Sequence, residues 1–212
     1  MYKGNKKCLC GLLVCLVLGI VFGGMEGESK KVETIQKGIA EEIIRFHVLA
    51  NSDESEDQEL KKKVKDVIVT YVQEKLHNAG DKKEAKEILK GQLKDIQHIA
   101  EEVLKEEGSR EKVSVALTKK EFPVKVYGDT IFPAGVYETL QVEIGKAQGK
   151  NWWCVMFPSL CMVNESYTVV SKEGKEKLKE YLSEEEYNSI QMEQNSTKYQ
   201  LKIVELWEEL WD

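Results

Sequence analysis

KNWWCVMFPSLCMV, residues 150–163, contains two of the four tryptophans and two of the five cysteines of the chain. Alternation along a β-strand puts two apolar sets on opposite faces: Trp152, Cys154 and Met156 on one, and Trp153, Val155 and Phe157 on the other. Such a strand is typical of the centre of a sheet, either covered on both sides or with one face kept for a partner. Pro158 lacks a backbone donor and is predicted to end the strand.

The charge balance of the chain limits the kinds of partner that it can have. The 212 residues have a formal net charge of −6, and 32% of them are charged. The first 24 residues contain three lysines and no acid, so the remainder has a net charge of −9. A uniformly acidic body repels the phosphate backbone, and we therefore predict no nucleic-acid partner.

The N-terminal segment has the pattern of an export signal. Lys3, Lys6 and Lys7 precede an uncharged, apolar run from Leu9 to Phe22. At about 14 residues this run is short for a membrane span and typical of a secretory signal. Residues 1–24 are predicted to be a signal peptide or a retained membrane anchor, with membrane contact only if the segment is not cleaved.

Export changes the interpretation of the cysteines. Three of the five lie in the leader, which leaves Cys154 and Cys161 as an even pair in an oxidising compartment. The intervening residues include a proline and suffice for a tight return of the chain. We predict a disulfide between these two residues, and the alternative is a pair of buried free thiols.

Hydrophobic periodicity predicts the fold class. Residues 43–50 alternate as a strand, and helical spacing then predicts two long helices that end at Leu76 and Gly108, joined by a short loop as antiparallel neighbours. After Gly108 the period becomes two, with turns at 128–129 and 133–135. The prediction is an α+β fold: an antiparallel or mixed sheet of about five strands with the long helical hairpin packed on it, plus C-terminal helices.

The same patterns suggest divisions of the chain. They are the leader at 1–24, a linker or short helix at 25–41, an α+β domain at 42–170, and a helical C-terminal extension at 171–212.

No catalytic or metal-binding constellation is visible in the sequence. His77 and His98 lie on predicted helices without a second ligand one turn away, and no Cys/His cluster has metal-ligand spacing. Neither a glycine-rich phosphate loop nor a G-x-S-x-G motif occurs. We therefore predict a protein without enzymatic activity, cofactor or metal.

One local arrangement suggests a partner-binding role. Arg45 and His47 share a strand face just before Asn51 and Asp53, at the predicted N-terminus of a helix. Helix N-termini attract anions, and arginine binds carboxylates with two donors. The alternative is that Arg45 pairs internally with a nearby acid (Asp53, Glu56 or Asp57) while His47 only covers the sheet.

The tryptophans extend this hypothesis. Aromatic and arginine side chains are where the energy of interfaces usually concentrates. We therefore add Trp152 or Trp153, whichever lies on the same face as Arg45 and His47, to the candidate partner-binding surface.

Three stretches carry a more specific signal. IRFHVLANSD at 44–53 is followed by EDQELK at 56–61, FPVKVYG at 122–128 by PAGVY at 133–137, and GKNWWCVMFP covers 149–158. In this order they resemble the stage II sporulation protein R family of endospore-forming bacteria.

The resemblance implies a non-enzymatic signalling protein, with residues 42–170 as the signalling domain. Members of this family are exported from the forespore into the space between the two membranes. There they trigger a membrane-embedded protease of the mother cell, which cleaves the precursor of the sporulation factor sigma-E. Two other classes stay open: an exported hydrolase, which would show turnover by itself, and a structural module that binds the envelope without any protease.

Overall fold

The computed structural model describes residues 30–161 and 170–192. The predicted leader and the part of the predicted extension beyond residue 192 lie outside these ranges. Within them, no helix combines the length and the hydrophobicity needed to cross a bilayer.

The described ranges form helices and strands in the following chain order. They are α1 at 30–42, β1 at Ile44–Leu49, α2 at Ser55–Leu76, α3 at Lys82–Glu106, β2 at Val113–Phe122, β3 at Lys125–Tyr127, β4 at Thr130–Phe132, β5 at Gly135–Ile144, β6 at Asn151–Phe157, α4 at Lys172–Tyr181 and α5 at Glu184–Ser189.

The main sheet has four strands in the order β2-β5-β1-β6, and β3 and β4 form a separate two-stranded hairpin. β1 is parallel to β5 and antiparallel to β6, so the sheet is mixed. The predicted α+β class is therefore confirmed. The expectation that the tryptophan strand is central is wrong: β6 lies at an edge of the sheet, and β1 lies in its middle.

The predicted helical hairpin packs on one face of the sheet. α2 and α3 are antiparallel neighbours, and Asp81 caps the N-terminus of α3, where its side chain accepts a hydrogen bond from the Glu84 backbone at 2.7 Å. Apolar residues at helical spacing on both helices meet Ile44, Phe46 and Val48 of β1 in one buried cluster. Burial of these faces, which removes apolar surface from water, holds the hairpin on the sheet.

The other face of the sheet is also covered at one end, which the sequence did not predict. A second buried cluster joins α1, the β3–β4 hairpin, α4 and α5 to Ile43, just before β1, and to Val155 of β6. The apolar residues on both faces of β6 thus reflect two cores rather than a central place in the sheet.

One residue of β6 lies on the face opposite to the predicted one. Phe157 packs in the helix-side cluster rather than with Trp153 and Val155. The register between β1 and β6 shifts there, because Ile44 pairs with Phe157 while Arg45 pairs with Val155. The extra residue, Met156, forms a bulge that breaks the alternation.

Candidate interaction surface

Part of the sheet face opposite the helical hairpin is open, and the strand register shows which side chains form it. One row across the four strands consists of Ser114, Glu143, Leu49 and Asn151, and the next consists of Ala116, Gln141, His47 and Trp153. We call these two rows the open sheet face. Trp153 is therefore the tryptophan that lies on the same side as Arg45 and His47.

Arg45 lies in the interior beside this face rather than on the surface. Its side chain is 1% exposed, and the guanidinium carbon lies 4.5 Å from the ring centre of Phe122 and 5.3 Å from that of Phe132. Tyr137 and Tyr127 complete an aromatic cage at 5.5 and 5.9 Å. Attraction between the cation and the ring faces partly replaces the water that the guanidinium has lost.

Within residues 30–161 and 170–192, the Arg45 side chain makes one hydrogen bond, and through Tyr127 it reaches β6. Nη2 donates to the Tyr127 hydroxyl at 3.2 Å, and that hydroxyl donates to the Trp153 carbonyl at 3.1 Å. Burial raises the pKa of Tyr127, so the hydroxyl keeps its proton. Arg45 therefore acts through Tyr127 to hold the β3–β4 hairpin against the tryptophan strand.

Neither sequence-based interpretation of Arg45 describes this arrangement. Nε and Nη1 have no hydrogen-bond partner in the part of the chain that the structure describes, and no ion pair joins Arg45 to an acid there. The internal pairing of Arg45 with a nearby acid is therefore not found. Direct contact with a partner would require the cage to open.

His47 lies on β1 and forms part of the open sheet face. Its ring stacks on Trp153 with the centroids 3.7 Å apart and the planes 7° from parallel. Nε2 donates to the Asn151 Oδ1 at 2.7 Å, while Nδ1 has no partner among the described residues. Burial favours the neutral imidazole by lowering the pKa, and the bond to the Asn151 oxygen places the proton on Nε2.

The buried position of His47 predicts a pH dependence of stability. Burial lowers the pKa of His47 below its ordinary value of 6.5, the bond to Asn151 opposes this shift, and the nearby charge of Lys120 adds to it. The unfolded chain therefore takes up a proton before the folded protein does, and the free energy of unfolding should fall as the pH drops below about 6.5. Thermal unfolding at several pH values measures the effect.

A matched pair of variants isolates the contribution of His47. His47→Phe keeps a ring against Trp153 but cannot be protonated, so it should remove this part of the pH dependence. His98→Gln changes a histidine that is 71% exposed, and it serves as the reference for removing a histidine elsewhere in the chain. An unchanged profile in His47→Phe would show that other groups cause the loss of stability in acid.

Asn51 and Asp53 position the loop that leads into β6. The Asn51 Oδ1 accepts a hydrogen bond from the Lys146 backbone at 2.9 Å, and the Asp53 Oδ1 accepts one from the Lys150 backbone at 2.7 Å. Backbone bonds from Gly149 to Ala50 at 2.9 Å and from Gln148 to Asn51 at 3.2 Å join the same two loops. Both candidate residues therefore hold the start of the tryptophan strand.

Trp152 faces the opposite side of the sheet. Its ring meets Phe46 edge-on with the centroids 5.6 Å apart, and the Lys65 Nζ lies 5.0 Å from its ring centre. Trp152 is half-buried against the helix-side core. Of the candidate residues, Arg45, His47 and Trp153 thus share one side of the sheet, and Trp152 faces the other. Asn51 and Asp53 lie in the loop after β1.

The predicted disulfide is not formed in the structure, where Cys154 and Cys161 are buried free thiols. Their sulfurs lie 3.6 and 3.1 Å from the same acceptor, the Val155 carbonyl oxygen. Burial, followed by the contact with the Cys154 thiol, raises the pKa of Cys161 well above its ordinary value. The chain therefore makes the tight return that the spacing predicted, and the two thiols meet.

Comparison with known proteins decides the family. The profile described as stage II sporulation protein R matches residues 40–167, which includes β1 to β6 and both long helices. The chain belongs to the stage II sporulation protein R family.

A curated member of the stage II sporulation protein R family gives the same result. The chain is 33% identical over 172 residues to the stage II sporulation protein R of Bacillus subtilis strain 168, which covers 78% of this chain and 77% of that protein. No solved structure matches the chain.

The three stretches that carry the resemblance to the stage II sporulation protein R family meet at one place. Residues 44–53 supply β1 and its loop, and 149–158 supply β6. Residues 122–128 with 133–137 supply Phe122, Tyr127 and Tyr137 of the Arg45 cage. The sequence located these stretches but missed the roles of Phe122, Phe132 and Tyr127. A signal for Phe122 and Tyr127 was present in the quoted FPVKVYG motif, but nothing local linked it to Arg45.

A metal centre, at this surface or elsewhere, requires several ligating side chains close together. Within residues 30–161 and 170–192, no group of three or more His, Cys, Asp or Glu side chains is placed to hold a metal ion. The arrangement does fit recognition, because it presents a stacked aromatic pair and polar side chains on a rigid sheet.

Proposed function

We propose that this protein is an exported signalling protein of sporulation that activates a membrane-embedded protease of the mother cell. Activation would lead to cleavage of the sigma-E precursor. The forespore would export the protein into the space between the two membranes, by way of the predicted leader. The observation that carries the proposal is the family match across residues 40–167, which contains all six strands and both long helices.

The structure supports a revised version of the predicted contact patch. His47, Asn151 and Trp153 lie on the open sheet face, and Lys125 places its Nζ 5.5 Å from the Trp153 ring centre. Half-buried aromatics with polar neighbours are common interface anchors. We propose Trp153 as the contact residue, with Arg45, Asn51 and Asp53 as positioning residues.

The proposal is tested by combining the full chain with its candidate protease in membranes and following precursor cleavage. Cleavage should require both proteins. Hydrolysis by the purified chain alone would instead identify an exported hydrolase, and binding to membranes or cell wall without any effect on cleavage would identify an envelope-binding module. Either result would overturn the proposal.

A Cys154–Cys161 disulfide remains a prediction for the exported protein. The thiols already meet, and closing so small a loop is expected to stabilise the fold by roughly 2.5 kcal/mol if the geometry is relaxed. Mass spectrometry after alkylation under denaturing, non-reducing conditions measures it. Exported protein should carry no label at either cysteine, whereas label on both would rule out the bridge.

A further inference from the structure

A cleft opens between the β3–β4 turn and the helices α4 and α5. Its volume is about 490 Å³, inside the range of roughly 300–1,000 Å³ that is typical of small-molecule sites. Its lining includes Asp129 of the turn, Lys179 of α4, and Glu184, Tyr187 and Asn188 of α5. None of these residues belongs to the open sheet face, so the cleft shares no residue with the proposed contact surface.

The walls of the cleft are fixed to one another. The Lys175 ammonium of α4 donates to the Asp129 carboxylate, and the Met192 backbone donates to the Asp129 carbonyl at 2.8 Å. The Ile131 backbone donates to the Ile190 carbonyl at 2.7 Å, so the chain that follows α5 runs along β4. A preformed cleft of this kind loses little conformational freedom when a ligand binds.

The charges of the cleft argue against an ionic ligand. Lys175 already pairs with Asp129, and the Lys179 Nζ lies 5.1 Å from the ring centre of Tyr187. Lysines of the chain itself thus occupy places where a ligand cation would be held. Apart from the residues already named, α4 and α5 contain five glutamates and two lysines, and Lys31 of α1 pairs with one of these glutamates. The surroundings are therefore acidic and would repel a phosphate or another anion, which leaves a neutral ligand.

The polar groups of the lining suit a ligand with many hydroxyl groups. Glu184 and Asn188 are four residues apart on α5 and therefore share one face of that helix. A carboxylate accepts hydrogen bonds, and the carboxamides of Asn188 and Gln191 both donate and accept them. Tyr187 adds a hydroxyl and an apolar ring, whereas Leu182 is the one aliphatic side chain of the lining within the described ranges. A purely apolar ligand would therefore leave polar groups without partners.

We propose that this cleft binds a neutral saccharide. A pyranose ring has hydroxyl groups around its rim, which donate and accept hydrogen bonds, and C–H faces that pack against an aromatic ring. Its hydroxyl groups would bind Glu184, Asn188 and Gln191, and one C–H face would pack against Tyr187. The proposal does not depend on the proposed function, because the residues of the cleft alone carry it.

Calorimetric titration of the full chain in phospholipid vesicles tests the proposal. Chitotriose and maltotriose are the probes, because both are neutral chains of pyranose rings and only the first carries acetamido groups. The native chain should show saturable binding of at least one of them at concentrations up to about 10 mM. Glu184→Ala should weaken this binding about tenfold or more, because it removes a hydrogen-bond acceptor from the cleft.

Glu185→Ala is the matched control. Both glutamates lie in the first turn of α5, but Glu185 pairs with Lys31 at 2.8 Å and does not line the cleft. The two substitutions should therefore change the melting temperature by similar, small amounts, while Glu185→Ala should bind within about twofold of the native chain.

The other outcomes would overturn the proposal. They are the absence of saturable binding by the native chain, equal binding by Glu184→Ala and Glu185→Ala, and saturable binding of inorganic phosphate in place of the saccharides. If Glu184→Ala does not fold, Asn188→Ala decides in the same way, because it removes a carboxamide from the same helix face.

Discussion

Arg45→Ala is expected to lower the free energy of unfolding by about 2–5 kcal/mol, the range for truncating a large buried side chain to alanine. The substitution empties the space among Phe122, Phe132 and Tyr137 and removes the hydrogen bond to Tyr127. Chemical denaturation measures the loss. An Arg45 that only contacted a partner would leave the free energy of unfolding nearly unchanged when truncated, and its 1% exposure argues against that outcome.

Arg45→Met separates packing from charge. Methionine fills most of the volume of the arginine stem, and a hydrophobic replacement of a buried charge is often neutral or stabilising. Arg45→Met should therefore be clearly more stable than Arg45→Ala. If both variants have the same free energy of unfolding as the native protein, the guanidinium is solvated. Arg45 would then again be a candidate for direct contact with a partner.

Gly149→Ala is expected to destabilise the protein by about 1–3 kcal/mol, as overpacking does in a well-packed site. A Cβ at this position would lie 2.1 Å from the Ser52 carbonyl oxygen, far inside any allowed contact. The two loops that Asn51 and Asp53 hold together would have to separate. Thermal unfolding measures the loss, and weaker pairing at the start of β6 should accompany it.

Gly91→Ala is the matched control for this substitution. Gly91 lies within α3, and an added Cβ there meets nothing within 4 Å. Alanine should stabilise the helix by about 1 kcal/mol because glycine loses more backbone freedom on folding. If Gly149→Ala lowers the free energy of unfolding and Gly91→Ala raises it, the close loop contact at Gly149 is established. Similar changes in the two variants would contradict it.

The sequence predicted those features that depend on neighbours in the chain. Period-two alternation located the two faces of β1, and helical spacing located α2 and α3 with their short loop. Periodicity alone could not predict that β6 lies at an edge of the sheet. An apolar strand covered by two separate cores has the same pattern as a central strand, and only the pairing of β1 with both β5 and β6 distinguishes them.

The candidate site was predictable in its residues but not in its geometry. Arg45, His47 and Trp153 share one side of the sheet, as alternation along each strand requires. The cage around Arg45 depends on Phe122, Phe132, Tyr127 and Tyr137, which come from distant parts of the chain. Because arginine usually pairs with acids, local sequence favoured a carboxylate partner over aromatic rings.

The pairing of β1 in the middle of the sheet has a consequence for the order of folding. Its partners are synthesised much later: His47 and Asn151, whose side chains hydrogen-bond, are 104 residues apart. Contacts of such long range form slowly, because a large loop must close before they stabilise anything. The four-stranded sheet can therefore be completed only after β6, the last of its strands, has been synthesised.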